Sequence, residues 1–175
     1  GLNFISVGRL SVEKGFDRLV NCFAKLKDRY RFHCILIGDG PQHDELQKEI
    51  EQQNLQSYVT LLGERKNPHA YTAKCDLFIC SSRAEGYSTT CTEAIMLGIP
   101  VLSTKVSGAD EIILEAEAGL VVENSEEGLL EGLEQILKNP SLITEWKNIL
   151  TTTKSHFSYK MRVEKLDAVL GIEMQ

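Results

Sequence analysis

Cys34-Ile35-Leu36-Ile37-Gly38-Asp39-Gly40-Pro41 decides the fold. Four apolar residues follow one another without a break, which suits a strand covered on both faces, because a strand with one wet face alternates apolar and polar residues. The run then stops at glycine and turns. Similar short runs, mostly β-branched or aliphatic, recur at residues 3–7, 58–62, 77–80, 101–103 and 120–122, and the quoted run itself reaches back to Phe32, a strand over 32–37. Helical periodicity lies between them, and strands that alternate with helices form a parallel sheet. The expected fold is α/β, a single doubly wound parallel sheet of about six strands with helices on both faces, in one domain over residues 1–175.

The clearest helix begins after Gly15, where Phe16, Leu19, Val20, Phe23, Leu26 and Tyr30 recur at three- and four-residue spacing. Further helices are predicted over 42–53, 70–74, 90–97, 109–114, 125–138, 141–152 and 159–170. Three strands run directly into Gly8, Gly38 and Gly63. Ligands of open α/β sheets bind outside the carboxyl ends of the strands, so the loops after Val7, Ile37, Leu62, Cys80 and Ser103 are expected to form one rim.

Bulk properties exclude several function classes. A formal charge of -6 and a pI near 5.3 disfavour a nucleic-acid or anionic-membrane partner, so any basic site is local. Cys22, Cys34, Cys75, Cys80 and Cys91 form no CxxC pair, and four of them lie in apolar segments, which reads as reduced and structural. No apolar run approaches the roughly 20 residues that span a bilayer, and no signal peptide is evident. The chain reads as cytoplasmic. Its opening, Gly1-Leu2-Asn3-Phe4, enters a strand at once, as a domain taken from a longer protein would.

Two motifs on the rim carry the chemistry. Gly8-Arg9-Leu10-Ser11-Val12-Glu13-Lys14-Gly15 places two cations beside the start of a helix, whose free N–H groups and dipole favour an anion. A diphosphate there would be met by a guanidinium fork and an ammonium, each charge-assisted bond worth roughly 1.5–3 kcal/mol. Glu85-Gly86-Tyr87-Ser88-Thr89-Thr90-Cys91-Thr92-Glu93 brackets a hydroxyl-rich run with two carboxylates. Glu85 also reads as a solvated loop carboxylate, and Thr90-Cys91-Thr92-Glu93 also fits a capping box, with Glu93 as a helix cap. The two glutamates suit opposite ends of one nucleotide sugar better than a glycosidase pair, whose carboxyls stand about 5–9.5 Å apart. No Walker loop occurs, and Gly38-Asp39-Gly40-Pro41 fails as a dinucleotide fingerprint because His43 stands at the third glycine; it reads as a turn. His33, His43, His69 and His156 show no metal-ligand spacing, so no metal or other cofactor is expected, the two cations doing that work.

These motifs, with Leu62-Gly63, Gly98-Ile99-Pro100-Val101 and Ser107-Gly108 before Glu111-Ile112, resemble in order the C-terminal half of retaining glycosyltransferases of the GT-B fold, group 1 (family 4). The resemblance covers nearly the whole chain and implies a Rossmann-like domain that binds a nucleoside diphosphate sugar. Glu85 and Glu93 have the family's E-x7-E spacing, which implies contact of Glu85 with the transferred sugar and of Glu93 with the ribose. Arg9 and Lys14 would hold the diphosphate and, with Glu85, act in catalysis. Gly8 and the segment Gly86, Tyr87, Ser88 and Thr89 would bind donor, and the base would lie by Gly63 and Arg65. Ser88 and Ser107 stand where the family usually has glycine, which bears on the sugar. The resemblance also implies an N-terminal acceptor domain absent from this chain, any peripheral membrane attachment through it, and a lipid-linked or polysaccharide glycan as acceptor class. The alternatives are a non-catalytic nucleotide-sugar sensor and, behind it, a nucleotide-sugar epimerase or hydrolase.

Overall fold

The computed structural model describes residues 1–152 of the chain; the helix expected over 159–170 lies outside the described residues. Six strands, β1 (Leu2–Val7), β2 (Phe32–Ile37), β3 (Val59–Gly63), β4 (Leu77–Cys80), β5 (Val101–Thr104) and β6 (Gly119–Val122), form one sheet in the order β3-β2-β1-β4-β5-β6. Every neighbouring pair is parallel. The helices are α1 (Phe16–Leu26), α2 (His43–Gln52), α3 (Pro68–Thr72), α4 (Thr89–Met96), α5 (Ala109–Ala116) and α6 (Glu126–Lys138). Residues 141–152 are helical too. The doubly wound sheet is as the sequence predicts, and the element ends shift by a residue or two. Tyr30 is the exception on the first helical stripe, because α1 ends at Leu26 and Tyr30 falls in the turn beyond it.

The unbroken apolar runs have a direct cause. Along β1, Phe4 enters one core and Ile5 the other; along β4, Leu77 and Ile79 face the first while Phe78 and Cys80 face the second. Each face of the sheet is covered, so alternate residues on both sides must be apolar. One core is closed by α1, α2 and α6, through Phe16, Leu19, Phe23, Leu46, Ile50, Leu129 and Leu133. Phe4, Phe23 and Phe32 meet there, with centroids 5.0–6.2 Å apart. The other core is closed by α4 and α5, through Cys91, Ala94, Ile95, Ala109 and Ile112. All five cysteines are buried and free.

At the carboxyl edge the chain is drawn together by backbone contacts. Gly8 N–H donates to Ile37 O at 3.0 Å, Gly38 N–H to Gly63 O at 3.1 Å, and Leu10 N–H to Asp39 O at 3.0 Å. Gly38 has φ +146°, and a Cβ on it would lie 1.8 Å from Gly8 O. No side chain fits. Gly38→Ala is therefore expected to lower stability by about 1–3 kcal/mol from backbone strain alone, and more from the forced separation of the two loops. Urea unfolding of the variant checks this; an unchanged midpoint would contradict it.

Candidate functional site

The strand order reverses direction between β1 and β4, since the chain leaves β1 toward β2 and returns on the other side at β4. Open α/β sheets bind ligands in the crevice at such a point. The two segments that diverge there are the loop carrying Arg9 with Lys14 and the loop carrying Glu85, which leads into α4 with Glu93. A cleft of about 790 Å³ opens above the ends of β1, β2 and β3, lined by Gly8, Arg9, Asp39, Pro41, Glu64 and Arg65 among others. Two narrower recesses adjoin it, one holding Lys14, Ser82 and Glu85, the other His69 and Glu93. Val7 lines all three, and Thr90 lies between the narrower two.

The structure joins Lys14 and Glu85 directly. Lys14 ends a 3-10 turn, Val12–Lys14, after which Gly15 takes φ +64° and opens α1. Its ammonium lies 2.7 Å from Glu85 Oε1, and Ser82 Oγ donates to that same oxygen at 2.5 Å. The Glu85 side chain is only 9% exposed, so it is not a solvated loop carboxylate. An ammonium has three donors, and Glu85 takes one of them, which leaves Lys14 able to serve an incoming anion as well.

The remaining candidate residues fall around this pair. Arg9 is exposed and lines the large cleft, as does Arg65 beside Gly63, whose carbonyl is held by Gly38. After Gly38-Asp39 the chain turns at Gly40-Pro41, where His43 N–H donates to Gly40 O at 3.1 Å, and packing against Leu10 explains Gly40: a Cβ on it would lie 2.5 Å from Leu10 O. Tyr87 is exposed, with its ring edge over Gly108, where a Cβ would lie 2.8 Å from Cδ2. Gly86 is exposed, Thr89 starts α4, and Ser88 precedes it as the buried N-cap residue. Ser88 makes no side-chain cap bond, and its hydroxyl has no hydrogen-bond partner among the described residues.

The capping-box alternative for Glu93 does not hold. It requires Thr90 at the cap, whereas α4 begins at Thr89 and puts Thr90 inside the first turn. Glu93 Oε2 instead lies 3.2 Å from His69 Nε2, on α3. His69 was not legible as a site residue, because nothing local in the sequence places α3 beside α4.

Sequence reasoning also misses the residues that lace the two loops. Ser81 Oγ donates to Lys14 O at 2.9 Å, and Arg83 N–H to Glu13 O at 2.7 Å. Arg83 grips Asp17 with two bonds of 2.7 Å, which hold the Asp17 carboxyl below its usual pKa. Arg18, on the first turn of α1, is 5% exposed and donates to Ser81 O at 2.9 Å, Ser82 O at 2.6 Å and Asn124 Oδ1 at 2.7 Å. Burial, then the nearby Arg83 charge, lowers the Arg18 pKa, and Asp17 opposes them.

The family model for glycosyl transferases group 1 matches residues 2–151. The chain belongs to that family. Among curated members it is 34% identical over 170 residues to the N-acetylgalactosamine-N,N'-diacetylbacillosaminyl-diphospho-undecaprenol 4-alpha-N-acetylgalactosaminyltransferase of Campylobacter jejuni, covering 95% of this chain and 46% of that protein. The group 1 chain thus spans less than half the length of that relative. Among solved structures it shares the fold of Anabaena HepE in complex with UDP, at TM-score 0.76 and 22% identity over 96% of this chain and 49% of that one. A mutant of S. aureus TarM, in complex with fondaparinux, alpha-GlcNAc-glycerol and UDP, gives TM-score 0.79 and 22% identity over 94% of this chain and 34% of that one. Among the described residues of this group 1 glycosyl transferase chain, no helix is long and apolar enough to cross a membrane.

Proposed function

We propose that this chain is the donor-binding domain of a retaining glycosyltransferase that transfers a sugar from a nucleoside diphosphate sugar without a divalent metal. The observation that carries the reading is the Lys14–Glu85 contact at the switch point of the sheet, beside the cleft that Arg9 lines and the recess that holds Glu93. Arg9 and Lys14 take the diphosphate, Glu85 the sugar hydroxyls and Glu93 the ribose diol. The base lies in the cleft near Gly63 and Arg65. The two cations and the first turn of α4 neutralise charge that develops on the leaving diphosphate, which is prearranged electrostatic catalysis. A second Rossmann-like domain supplies the acceptor, so this chain alone binds donor and turns it over poorly. The acceptor class is a lipid-linked or polysaccharide glycan, in keeping with the Campylobacter relative's diphospho-undecaprenol substrate. Burial of all five thiols in free form suits a reducing cytoplasm.

Uridine is the favoured base, since solved neighbours hold UDP. Calorimetric titration with UDP, GDP and ADP and their sugars, without divalent metal, tests the donor assignment. UDP is expected to bind most tightly, and Glu93→Ala to weaken it about 10- to 100-fold, the loss of one or two charged hydrogen bonds to the ribose. Unchanged affinity in Glu93→Ala would remove Glu93 from the site.

A further inference from the structure

We propose that Arg18 is a positioning residue for the donor sugar, acting through the loop that carries Glu85 and never touching the ligand. The inference rests on the assignment of Glu85 to the sugar made above.

The case begins with a buried guanidinium that serves loops rather than a carboxylate. Nε of Arg18 donates to Ser81 O and Nη2 to both Ser82 O and Asn124 Oδ1, with no direct ion pair among these contacts. Three polar groups from two distant loops are therefore fixed by one planar fork. Ser82 is the hinge of the arrangement. Its carbonyl accepts from Arg18 and, at 2.7 Å, from Thr104 Oγ1, while its own hydroxyl donates to Glu85 Oε1. Whatever sets the Ser82 backbone thus sets the direction of the Glu85 carboxylate. Asn124 closes the brace, because its amide nitrogen donates to Arg83 O at 2.8 Å while its oxygen accepts from Arg18.

The same brace fixes the distance between the two halves of the site. Gly15 lies so close to the loop that a Cβ would stand 2.2 Å from Ser81 O, so Arg18 holds the loop against the start of α1, one residue from Lys14. Glu85 then meets Lys14 at 2.7 Å. Removing the guanidinium takes the Arg18 donor from Ser81 O and leaves Ser82 O with Thr104 Oγ1 alone of the two donors named, and a buried carbonyl that loses its donor is costly enough to shift the loop. Glu85 moves with it. The cleft lined by Arg9, Asp39 and Arg65 shares no lining residue with the brace, and Lys14 keeps its own turn through its N–H to Ser11 O at 3.0 Å, so UDP binding is expected to stay.

The test is a ratio. Calorimetry on the full chain measures affinity for UDP and for the tightest of UDP-glucose, UDP-galactose, UDP-N-acetylglucosamine and UDP-N-acetylgalactosamine. Arg18→Met is expected to lower the sugar-to-UDP affinity ratio about tenfold while UDP affinity changes less than threefold, and Arg18→Lys, which keeps one cationic donor, to fall between. Asn124→Ala, outside the hydrophobic cores, serves where Arg18→Met does not fold and should lower the ratio about threefold. A loss of melting temperature with the ratio unchanged in Arg18→Lys and Asn124→Ala would show a merely structural role and overturn the inference. Glu85→Gln separates the two ideas: if it lowers the ratio and the Arg18 and Asn124 variants do not, only this inference fails. If Glu85→Gln leaves the ratio unchanged, or wild type binds no member of the panel, the assignment of Glu85 fails and takes this one with it.

Discussion

Lys14→Ala is expected to lower kcat about 10²- to 10³-fold in the full-length transferase of which we propose this chain is the donor half, the range seen when a prearranged donor to developing negative charge is removed. The leaving diphosphate gains charge as the bond to the sugar breaks, so an ammonium beside it acts more strongly in the transition state than in the ground state. The change in KM should be smaller than the change in kcat. Lys14 lies between two tasks, however, because its ammonium also pairs with the largely buried Glu85. Its loss leaves that carboxylate, among the described residues, with the Ser82 hydroxyl as its remaining partner, at a cost of about 1–3 kcal/mol to stability. Lys14→Arg separates the effects: it restores the charge for Glu85 while placing the donors differently, so stability should recover more than turnover. Steady-state kinetics and thermal melts on both variants check this. A Lys14→Ala enzyme with unchanged kcat would remove the residue from catalysis.

Glu85→Gln carries the second large effect, about a 10²-fold fall in kcat/KM with UDP affinity unchanged or a few-fold tighter. The substitution preserves shape and a hydrogen-bonding oxygen for Ser82 and Lys14, but removes the negative charge. Hydrogen bonds from sugar hydroxyls to a carboxylate are the stronger kind, so the loss falls on the sugar and its orientation. The effect on UDP has the opposite sign for a Coulombic reason. An anion that lies 2.7 Å from the ammonium proposed to take the diphosphate opposes a second anion there, and neutralising it would release Lys14 for that role. Kinetics paired with calorimetry decide the matter. If UDP and its sugar weakened in parallel, Glu85 would be supporting the pocket rather than reading the sugar.

Much of this was legible in the sequence, for a physical reason. The type of an element is written locally, in a helical period after Gly15 and in unbroken runs such as Cys34 to Ile37, and of the glycines that end three strands Gly38 is required by its close approach to Gly8 O and Gly63 by its φ of +73°. Once the elements alternate, the sheet is parallel and its carboxyl edge is the place to search. What could not be read depends on the order of strands in space. Arg18 contacts residues 63, 64 and 106 positions away, and it lies on the side of α1 opposite Phe16, where periodicity predicts a solvated cation. It is buried because the loops after β4 and β6 fold over that side. His69 reaches Glu93 for the same reason, through the packing of α3 beside α4. The two readings of Glu93 are both open in the sequence because both use a helix start near Thr90, and two residues of difference, the N-cap at Ser88 and not at Thr90, decide against the cap.

A crystal structure of this chain with UDP bound tests the central claim most directly. The account predicts the diphosphate within hydrogen-bonding distance of Arg9 and Lys14, the ribose diol on Glu93 and the uracil in the cleft beside Arg65. UDP bound elsewhere, with Arg9 and Lys14 both turned to solvent, would contradict it.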